Sequence, residues 1–228
     1  MKFDNILNSL VQSNKHVFTV YDAAKLMGKT TSYASLVLSK SKKVIRVERG
    51  KYFIEGTSKY EVASNLIFPS YISLQAGLQY YGLIDQNILR YSVIALKRHK
   101  TIDLQGITIE FIKTSKRYFF GYLNKANVYV ASPEKLFVDC IYFGGTRFST
   151  LKEALETAKS EHLINTSLLE RYAVDSGKTI LINKIGFLLE MTGISAEKLL
   201  PYRYPNYIYL PGTGNEGTSK RWRIKYDR

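Results

Sequence analysis

The chain has 228 residues, 45% of them hydrophobic and 23% charged, which is typical of a globular protein and long enough for two small domains. Lysine and arginine number 33 against 19 acidic residues, and the resulting net charge of +14 attracts polyanions, nucleic acid foremost. The apolar runs are shorter than the ~20 residues of a membrane span and the first residues do not form a secretory signal, so we expect a cytoplasmic protein without a membrane partner.

Three helices are predicted within the first sixty residues. Apolar residues spaced three and four apart indicate a first helix from Phe3 and a second helix from Val20. Thr19 is a candidate N-cap of the second helix, and Gly28 is expected to end it. The third helix begins near Thr30 and buries one apolar side, formed by Ala34, Val37 and Leu38. Residues 1–60 contain 11 basic and 4 acidic residues, so +7 of the net charge of +14 lies in about a quarter of the chain.

A β-hairpin is predicted after the third helix. The stretch "VIRVERGKYFI" has two arms rich in β-branched and aromatic residues, and between them Gly50 can adopt the positive φ of a turn. The second and third helices are separated only by "GKTT", the short glycine-containing turn of a helix-turn-helix. Three helices and a basic hairpin predict a winged helix-turn-helix over residues 1–57, followed by a second domain over residues 58–228.

The residues Gly28, Lys29 and Thr30 also resemble the end of a phosphate-binding loop of nucleotide hydrolases. That loop needs a glycine five residues earlier, where this chain has Ala23, and a preceding strand, where this chain predicts a helix. Both requirements fail, which argues against the nucleotide-binding interpretation. Lys29 and the positive N-terminus of the third helix are instead expected to meet a phosphate of DNA.

The outward side of the third helix and the hairpin contain the candidate DNA-binding residues. Small hydroxyl side chains let a helix enter the major groove, an exposed leucine can contact a thymine methyl group, and lysine or arginine neutralises phosphates. The candidates for contact with double-stranded DNA are Lys29, Thr30, Thr31, Ser32, Tyr33, Ser35, Leu36, Ser39, Lys40, Lys43, Arg46, Arg49 and Lys51. The competing interpretation is the solvated basic face of a winged helix that binds protein. We expect Arg49→Ala or Lys51→Ala to weaken binding to all sequences, and substitutions of Ser32 or Ser35 to change site preference.

The remainder of the chain predicts an α+β domain. Helices are expected in "KYEVASNLI" and, after the N-cap candidate Ser73, in "SLQAGLQYYGL". Strands follow in mid-chain as "YSVIALK", "GITIEFIK" and "NVYVAS", rather than alternating with helices. Ser132 and Pro133 then begin a helix, and further helices are predicted around Leu155, in "SLLERYAV" and in "INKIGFLLEM".

Five stretches, in the same order over most of the chain, are similar to a known family. They are "VERGKYFI", "PSYISLQAGLQYYGLI", "VYVASPEKLFVDCIYF", "NKIGFLLEMTG" and "RWRIKY", of which the second and third contain the most specific pieces. The chain resembles the AbiEi family, the antitoxins and transcriptional regulators of type IV toxin–antitoxin systems. The resemblance implies an N-terminal winged helix-turn-helix that represses its own promoter at inverted repeats, followed by a mixed α+β, antitoxin-like domain. It also implies a neighbouring gene for a nucleotidyltransferase-like toxin, which is opposed without a stable complex.

The C-terminal segment combines tyrosines with basic residues. The stretch "NYIYL" predicts a strand, and "RWRIKY" predicts an edge strand with Trp222, Ile224 and Tyr226 on one face. The basic residues would occupy the other face, which either extends the DNA footprint or belongs to an antitoxin surface; they are Arg221, Arg223 and Lys225. The tyrosines of "YRYPNYIYL" could stack on nucleobases, but their alternation with apolar residues favours packing on a sheet face.

Metal-binding and catalytic clusters are not predicted from residue spacing. The histidines are far apart, at His16, His99 and His162, and Cys140 lies in an apolar stretch typical of a buried thiol. Asp139 is in the same stretch, and we interpret it as an ion-pairing or capping residue of the core rather than as a catalytic one. The carboxylates Glu110 and Glu190 are likewise isolated along the sequence.

We therefore expect a non-enzymatic DNA-binding repressor without a cofactor or a metal. An inverted-repeat operator would be occupied at two half-sites, by a homodimer or by cooperating monomers. Two alternatives stay open at this point. One is an enzyme that processes nucleic acid and uses the winged helix for targeting; the other is a winged-helix adaptor that binds protein.

Overall fold

The computed structural model describes residues 3–227 and has a mixed α+β architecture with three β-sheets. The predicted α+β class is therefore confirmed. Met1, Lys2 and Arg228, at the outer ends of the two predicted domains, lie outside the described residues. Within residues 3–227, no helix is both long enough and apolar enough to cross a membrane.

The three predicted N-terminal helices are confirmed as α1 (Phe3–Gln12), α2 (Val20–Met27) and α3 (Thr31–Lys40). A capping box begins α2: Asp22 N–H donates to the Thr19 hydroxyl at 3.2 Å, and Thr19 N–H donates to the Asp22 carboxylate at 2.8 Å. Gly28 ends α2 in the left-handed conformation. Local side-chain chemistry thus determines the turn between α2 and α3.

A three-stranded antiparallel sheet completes this N-terminal unit. Its strands are β1 (Val17–Thr19), β2 (Val44–Glu48) and β3 (Lys51–Ile54), in the spatial order β1-β3-β2. Arg49 and Gly50 connect β2 to β3, and Gly50 has a φ of 77°, so the predicted hairpin is confirmed. The sequence patterns miss β1, because three residues are too few to show an alternation and are held by pairing with β3.

A six-stranded mixed sheet forms the centre of the remaining chain. Its strands are β4 (Ser70–Ser73), β5 (Arg90–Ala95), β6 (Ile102–Leu104), β7 (Ile107–Lys113), β8 (Tyr122–Lys125) and β9 (Val128–Ala131). The spatial order is β6-β7-β5-β4-β9-β8; β5 pairs with β7 and β4 with β9 in parallel, and the other neighbours are antiparallel. The sequence predicts β5, β7 and β9 but misses the short strands β4, β6 and β8.

Helices cover one face of this sheet. They are α5 (Leu74–Tyr80), α6 (Pro133–Phe143), α7 (Phe148–Ser160), α8 (Thr166–Asp175) and α9 (Thr179–Met191). Short 3-10 helices lie before α6, at Lys116–Tyr118, and after α9, at Glu197–Tyr202. Their apolar sides form a core with the sheet residues Tyr71, Ile94 and Ala131. Ser132 caps α6 and Pro133 follows it, as predicted. Ser73 precedes α5 without capping it, which corrects its predicted role.

The opposite face of the sheet packs against α4 (Lys59–Asn65) and the N-terminal sheet. Phe53 of β3 and Val62 of α4 are buried in one cluster with the sheet residues Ile72, Val93 and Val130. In addition, Nδ1 of His16 lies 2.7 Å from a carboxylate oxygen of Glu61. The chain segment near residue 57, where the sequence predicts a domain boundary, is therefore bridged by an apolar core and by a polar contact.

The third sheet lies near the C-terminus and consists of β10 (Ile208–Leu210), β11 (Gly217–Ser219) and β12 (Ile224–Tyr226). The order is β10-β12-β11, so β12 is the central strand, and its prediction as an edge strand is wrong. Residues 220–223 form a turn, in which Arg223 has a φ of 54°. Trp222 is fully buried against Gly186 of α9, where any Cβ atom would overlap with the indole ring. This contact attaches the C-terminal segment to the helical layer.

Candidate nucleic-acid interface

Helix α3 presents a continuous polar and aromatic side to solvent. Ala34 and Leu38 are buried in the core of the N-terminal unit, which orients the helix. The exposed side chains on the other side, which we call the α3 outer face, are Ser32, Tyr33, Leu36, Ser39 and Lys40. Tyr33 and Leu36 are 50% and 52% exposed despite their large apolar surface. Hydroxyl, phenol, leucine and lysine groups together can contact base edges, thymine methyl groups and phosphates.

Two predicted contact residues on α3 are less accessible. Thr31 and Ser35 are half-buried, so their side chains are at the margin of the α3 outer face. Ser39 is exposed, and its hydroxyl donates to the carbonyl oxygen of Leu36 at 2.9 Å. That hydroxyl oxygen can still accept a hydrogen bond from a base or from water.

The turn before α3 adds a cation next to a helix N-terminus. Lys29 and Thr30 are exposed there. The Thr30 hydroxyl accepts a hydrogen bond from the Tyr33 N–H at 3.3 Å, which caps the helix. The other N–H groups of the first turn carry the positive end of the helix dipole, so an anion at this turn is stabilised by the dipole and by Lys29.

The hairpin region contains three cations that are exposed to solvent and differ in the groups they contact. Arg49, at the turn, is exposed. The Nε–H of Arg46 donates to the Glu48 carbonyl oxygen at 3.2 Å, which leaves the rest of its guanidinium at the surface. Nζ of Lys43 lies 2.6 Å from Asp4, but both side chains are 63% exposed, and an exposed pair of this kind contributes little and is readily exchanged for a phosphate. Arg49 is thus the most accessible cation of the turn.

Lys51 differs from these cations because its side chain points back toward the body of the protein. Its Nζ donates to the carbonyl oxygen of Leu66 at 2.6 Å and lies 3.0 Å from the Glu48 carboxylate. The side chain is 27% exposed. This geometry assigns Lys51 a connecting role between the hairpin and the segment after α4.

Glu48 joins the end of β2 to a basic loop whose residues are not among the contact residues predicted from the sequence. Its carboxylate lies 3.1 Å from Nε2 of His99 and 3.9 Å from Nζ of Lys100. Burial by itself would raise the pKa of Glu48, but the hydrogen bond and charge of Lys51, together with His99, outweigh burial and hold that pKa below its usual value. The His99 ring also packs on Phe111, with centroids 4.7 Å apart.

We call residues 97–100 the basic loop. Lys97, Arg98 and Lys100 are exposed, and the contacts of Glu48 with His99 and Lys100 hold the loop beside the hairpin. The signal available in the sequence is the run "KRHK", four successive basic or titratable residues. Its position beside the hairpin depends on the pairing of β2, β5 and β7 in two different sheets, which no local pattern contains.

Asp139 is part of a buried ion pair. It accepts hydrogen bonds from Nζ of Lys135 and, at 2.7 Å, from the Ser73 hydroxyl, and both charged side chains are completely buried. Nζ of Lys135 also lies 3.7 Å from the centre of the Tyr118 ring. Burial raises the pKa of Asp139 and lowers that of Lys135, while their mutual attraction opposes both shifts. The interpretation of Asp139 as an ion-pairing core residue is confirmed.

The other groups considered for chemistry are separate from Asp139. Glu110 pairs with Arg90 at 3.2 Å, and Glu190 pairs with Arg221 at 2.8 Å. Cys140 is buried, as predicted, and burial raises the pKa of its thiol to about 12. Within the described residues 3–227, no three histidine, cysteine or acidic side chains form a group that could hold a metal ion.

Comparisons of the chain with models of known protein families and with curated proteins find no match to it.

Proposed function

We propose that this chain is a sequence-specific, DNA-binding transcriptional regulator whose first 57 residues act as a winged helix-turn-helix. The observation that carries the proposal is the α3 outer face. Helix α3 follows a short turn that begins at Gly28, and Thr30 caps the helix. On the side opposite the core it exposes side chains that can enter a major groove. The hairpin of β2 and β3, with Arg49 at its tip, corresponds to the wing.

In this proposal α3 enters the major groove. Ser32 and Leu36 contact base edges and thymine methyl groups, while Tyr33, Lys40 and Lys29 contact phosphates. Arg46 and Arg49 add phosphate contacts from the hairpin, and the basic loop adds further ones from outside the winged helix. The net charge of +14 supports strong attraction to duplex DNA at low ionic strength.

The resemblance to the AbiEi family supports a narrower form of the same proposal. The chain would be the antitoxin of a type IV pair that represses its own promoter at inverted repeats, occupied by a homodimer or by cooperating monomers. Its functional partner would be a nucleotidyltransferase-like toxin, and antitoxicity would depend on the part of the chain after residue 57. Co-expression with the neighbouring toxin gene tests this form: the antitoxin proposal requires rescue of growth.

Fluorescence anisotropy with duplexes from the chain's own promoter tests DNA binding directly. We expect the promoter duplex to bind more tightly than a shuffled duplex, with an affinity that falls linearly on a logarithmic salt scale. Ser32→Ala should change the relative affinities for operators with single base-pair substitutions, by about 1–3 kcal/mol at the position read. Ser160→Ala, at an exposed serine at the end of α7, is the matched control and should leave these ratios unchanged. Equal affinity for promoter and shuffled DNA would contradict sequence-specific recognition.

A further inference from the structure

The small C-terminal sheet has one face in the core and one face in solvent. Ile208, Leu210 and Ile224 belong to the core cluster that includes α9. Because side chains alternate along a strand, Tyr209 and Lys225, which are register partners across β10 and β12, occupy the other face, with Thr218 of β11 beside Lys225. Tyr209 is 60% exposed, and Lys225 and Thr218 are exposed as well.

Tyr207, two residues before Tyr209, extends this exposed face. Its ring is 41% exposed. The guanidinium carbon of Arg223 lies 5.5 Å from the ring centre and Nζ of Lys225 lies 5.9 Å from it, so two cations flank the same aromatic ring. We call Tyr207, Tyr209, Arg223 and Lys225 the tyrosine–cation face. Tyr207 and Tyr209 are both exposed, so the expectation that the tyrosines of this stretch pack on a sheet face is wrong for these two.

The cations of the tyrosine–cation face are not neutralised by carboxylates. Among the residues that the structure describes, neither Arg223 nor Lys225 forms an ion pair, whereas the neighbouring Arg221 pairs with Glu190 and Glu197. Residues 203–227 contain five basic and two acidic residues, a net charge of +3. The face therefore combines exposed aromatic rings with an exposed cation, Lys225, and a half-buried one, Arg223, both available to an anionic ligand.

The backbone and one hydrogen bond hold this arrangement. Arg223 has a φ of 54°, an uncommon conformation for a residue with a side chain, and its carbonyl oxygen accepts the Ile208 N–H at 2.8 Å. Directly after this turn the chain enters β12, and the Arg223 side chain lies beside Tyr207. The Tyr209 hydroxyl donates to the Asp227 carboxylate, which orients the second ring.

We propose that the tyrosine–cation face binds single-stranded nucleic acid. Exposed aromatic rings stack on unpaired bases whatever the sequence, and adjacent cations neutralise the phosphates between them. In a duplex the faces of the bases are covered by their neighbours, so a site built on tyrosine rings discriminates against it. The proposal goes beyond duplex recognition by α3 and does not depend on it, because the two surfaces belong to different sheets and helices.

The test compares fluorescein-labelled (dT)20, (rU)20 and a 20-base-pair duplex, each titrated with the full chain at low salt and followed by anisotropy. Tyr207→Leu/Tyr209→Leu removes the aromatic rings and keeps apolar bulk; we expect it to bind both single strands at least tenfold more weakly and the duplex within twofold of wild type. Tyr207→Phe/Tyr209→Phe keeps the rings and should bind single strands within threefold of wild type. Lys225→Gln should weaken single-strand binding and reduce its salt dependence.

Two controls make the outcome decisive. Tyr21→Leu alters a tyrosine on α2 that is 73% exposed, and it should leave (dT)20 and (rU)20 binding unchanged. Circular dichroism and thermal melting verify that each variant is folded. If wild type does not bind the single strands, or if the leucine variant binds them as tightly as wild type, the proposal is overturned, whereas duplex binding by the same samples reports on α3 separately. Equal losses for leucine and phenylalanine variants would also contradict stacking.

Discussion

Nε2 of His99 lies 3.1 Å from the carboxylate of Glu48, and this contact joins the last residue of β2 to the basic loop after β5. The same carboxylate also holds Lys51 at 3.0 Å. One acidic residue thereby connects the N-terminal unit to the central sheet at a surface rich in cations. Glu48 thus adds a polar contact between the hairpin and the basic loop, which strand pairing in the two sheets places side by side.

Glu48→Gln is expected to lower the free energy of unfolding by about 1–2 kcal/mol at pH 7, because the ion pair with Lys51 is lost and the contact with His99 is weakened at a partly buried position. The pKa of Glu48 is lower in the folded protein than its ordinary value of 4.5, so its stabilisation is complete above that value and is lost as the pH falls through the folded-state pKa. In urea unfolding from pH 7 to pH 3, the difference between the two proteins should therefore be constant above pH 4.5 and shrink as the pH falls below it. Glu55→Gln, at an exposed glutamate, is the control; a pH-independent difference for Glu48→Gln would contradict the assignment.

Arg49→Ala and Lys51→Ala should differ in their effects on DNA binding and on stability, although both residues are predicted from the sequence to contact phosphates. Arg49 is exposed at the hairpin turn, so its removal should weaken binding to every duplex and reduce the slope of log affinity against log salt by about 1. Lys51 is engaged by Leu66 and Glu48, so Lys51→Ala should keep the slope and lower the free energy of unfolding by about 1–2 kcal/mol. Anisotropy titrations at several salt concentrations measure the slope, and urea unfolding measures stability. Equal reductions of the slope would show that Lys51 leaves its partners to bind DNA.

Asp139→Asn should destabilise the protein by about 3–5 kcal/mol, because it leaves the charge of Lys135 buried without its partner. The double variant Lys135→Met/Asp139→Asn removes both charges and should be more stable than either single variant, Lys135→Met or Asp139→Asn. Urea unfolding of the four proteins gives a double-mutant cycle. A double variant that loses the sum of both single effects would mean that the two residues act independently.

Gly186→Ala should detach the C-terminal segment from α9. The added methyl group would overlap with the Trp222 ring, and overpacking at such a site costs about 3 kcal/mol. Trp222 is the single tryptophan of the chain and is fully buried, so its fluorescence reports on this contact, and we expect emission at a longer wavelength in the variant. Thr179→Ala, at an exposed position of α9, should leave emission and stability unchanged. Unaltered emission in Gly186→Ala would show that the indole can move without losing its burial.

Much of the secondary structure is encoded locally. Thr19 and Thr30 cap α2 and α3, and Ser132 with Pro133 begins α6, because capping needs only a few consecutive residues. The strands missed by sequence patterns are three or four residues long and are held by their partners: β1, β4, β6, β8 and β11. Ser73 has the residue type of a cap, but the buried Asp139 binds its hydroxyl instead.

The candidate interface likewise has features that the local sequence predicts and features that depend on contacts between distant residues. The side of α3 that faces solvent follows from helical periodicity, and the exposed residues of the α3 outer face are those that the sequence predicts. The orientation of Lys51 toward Leu66 and the position of the basic loop do not follow from it. Both depend on residues that are 15 or more positions apart in the chain.

The sequence by itself determined the net charge, the α+β class, the capped helices and the solvent-facing side of α3, since each depends on composition or on neighbours within one or two helical turns. Only the tertiary structure decided that Glu48 connects the hairpin to the basic loop, that Lys51 is turned inward, and that Tyr207 and Tyr209 lie on an exposed face beside Arg223 and Lys225. The physical reason is the same in each case. A side chain's exposure and its charged partners are set by strand pairing and packing between distant segments, which local residue patterns do not contain.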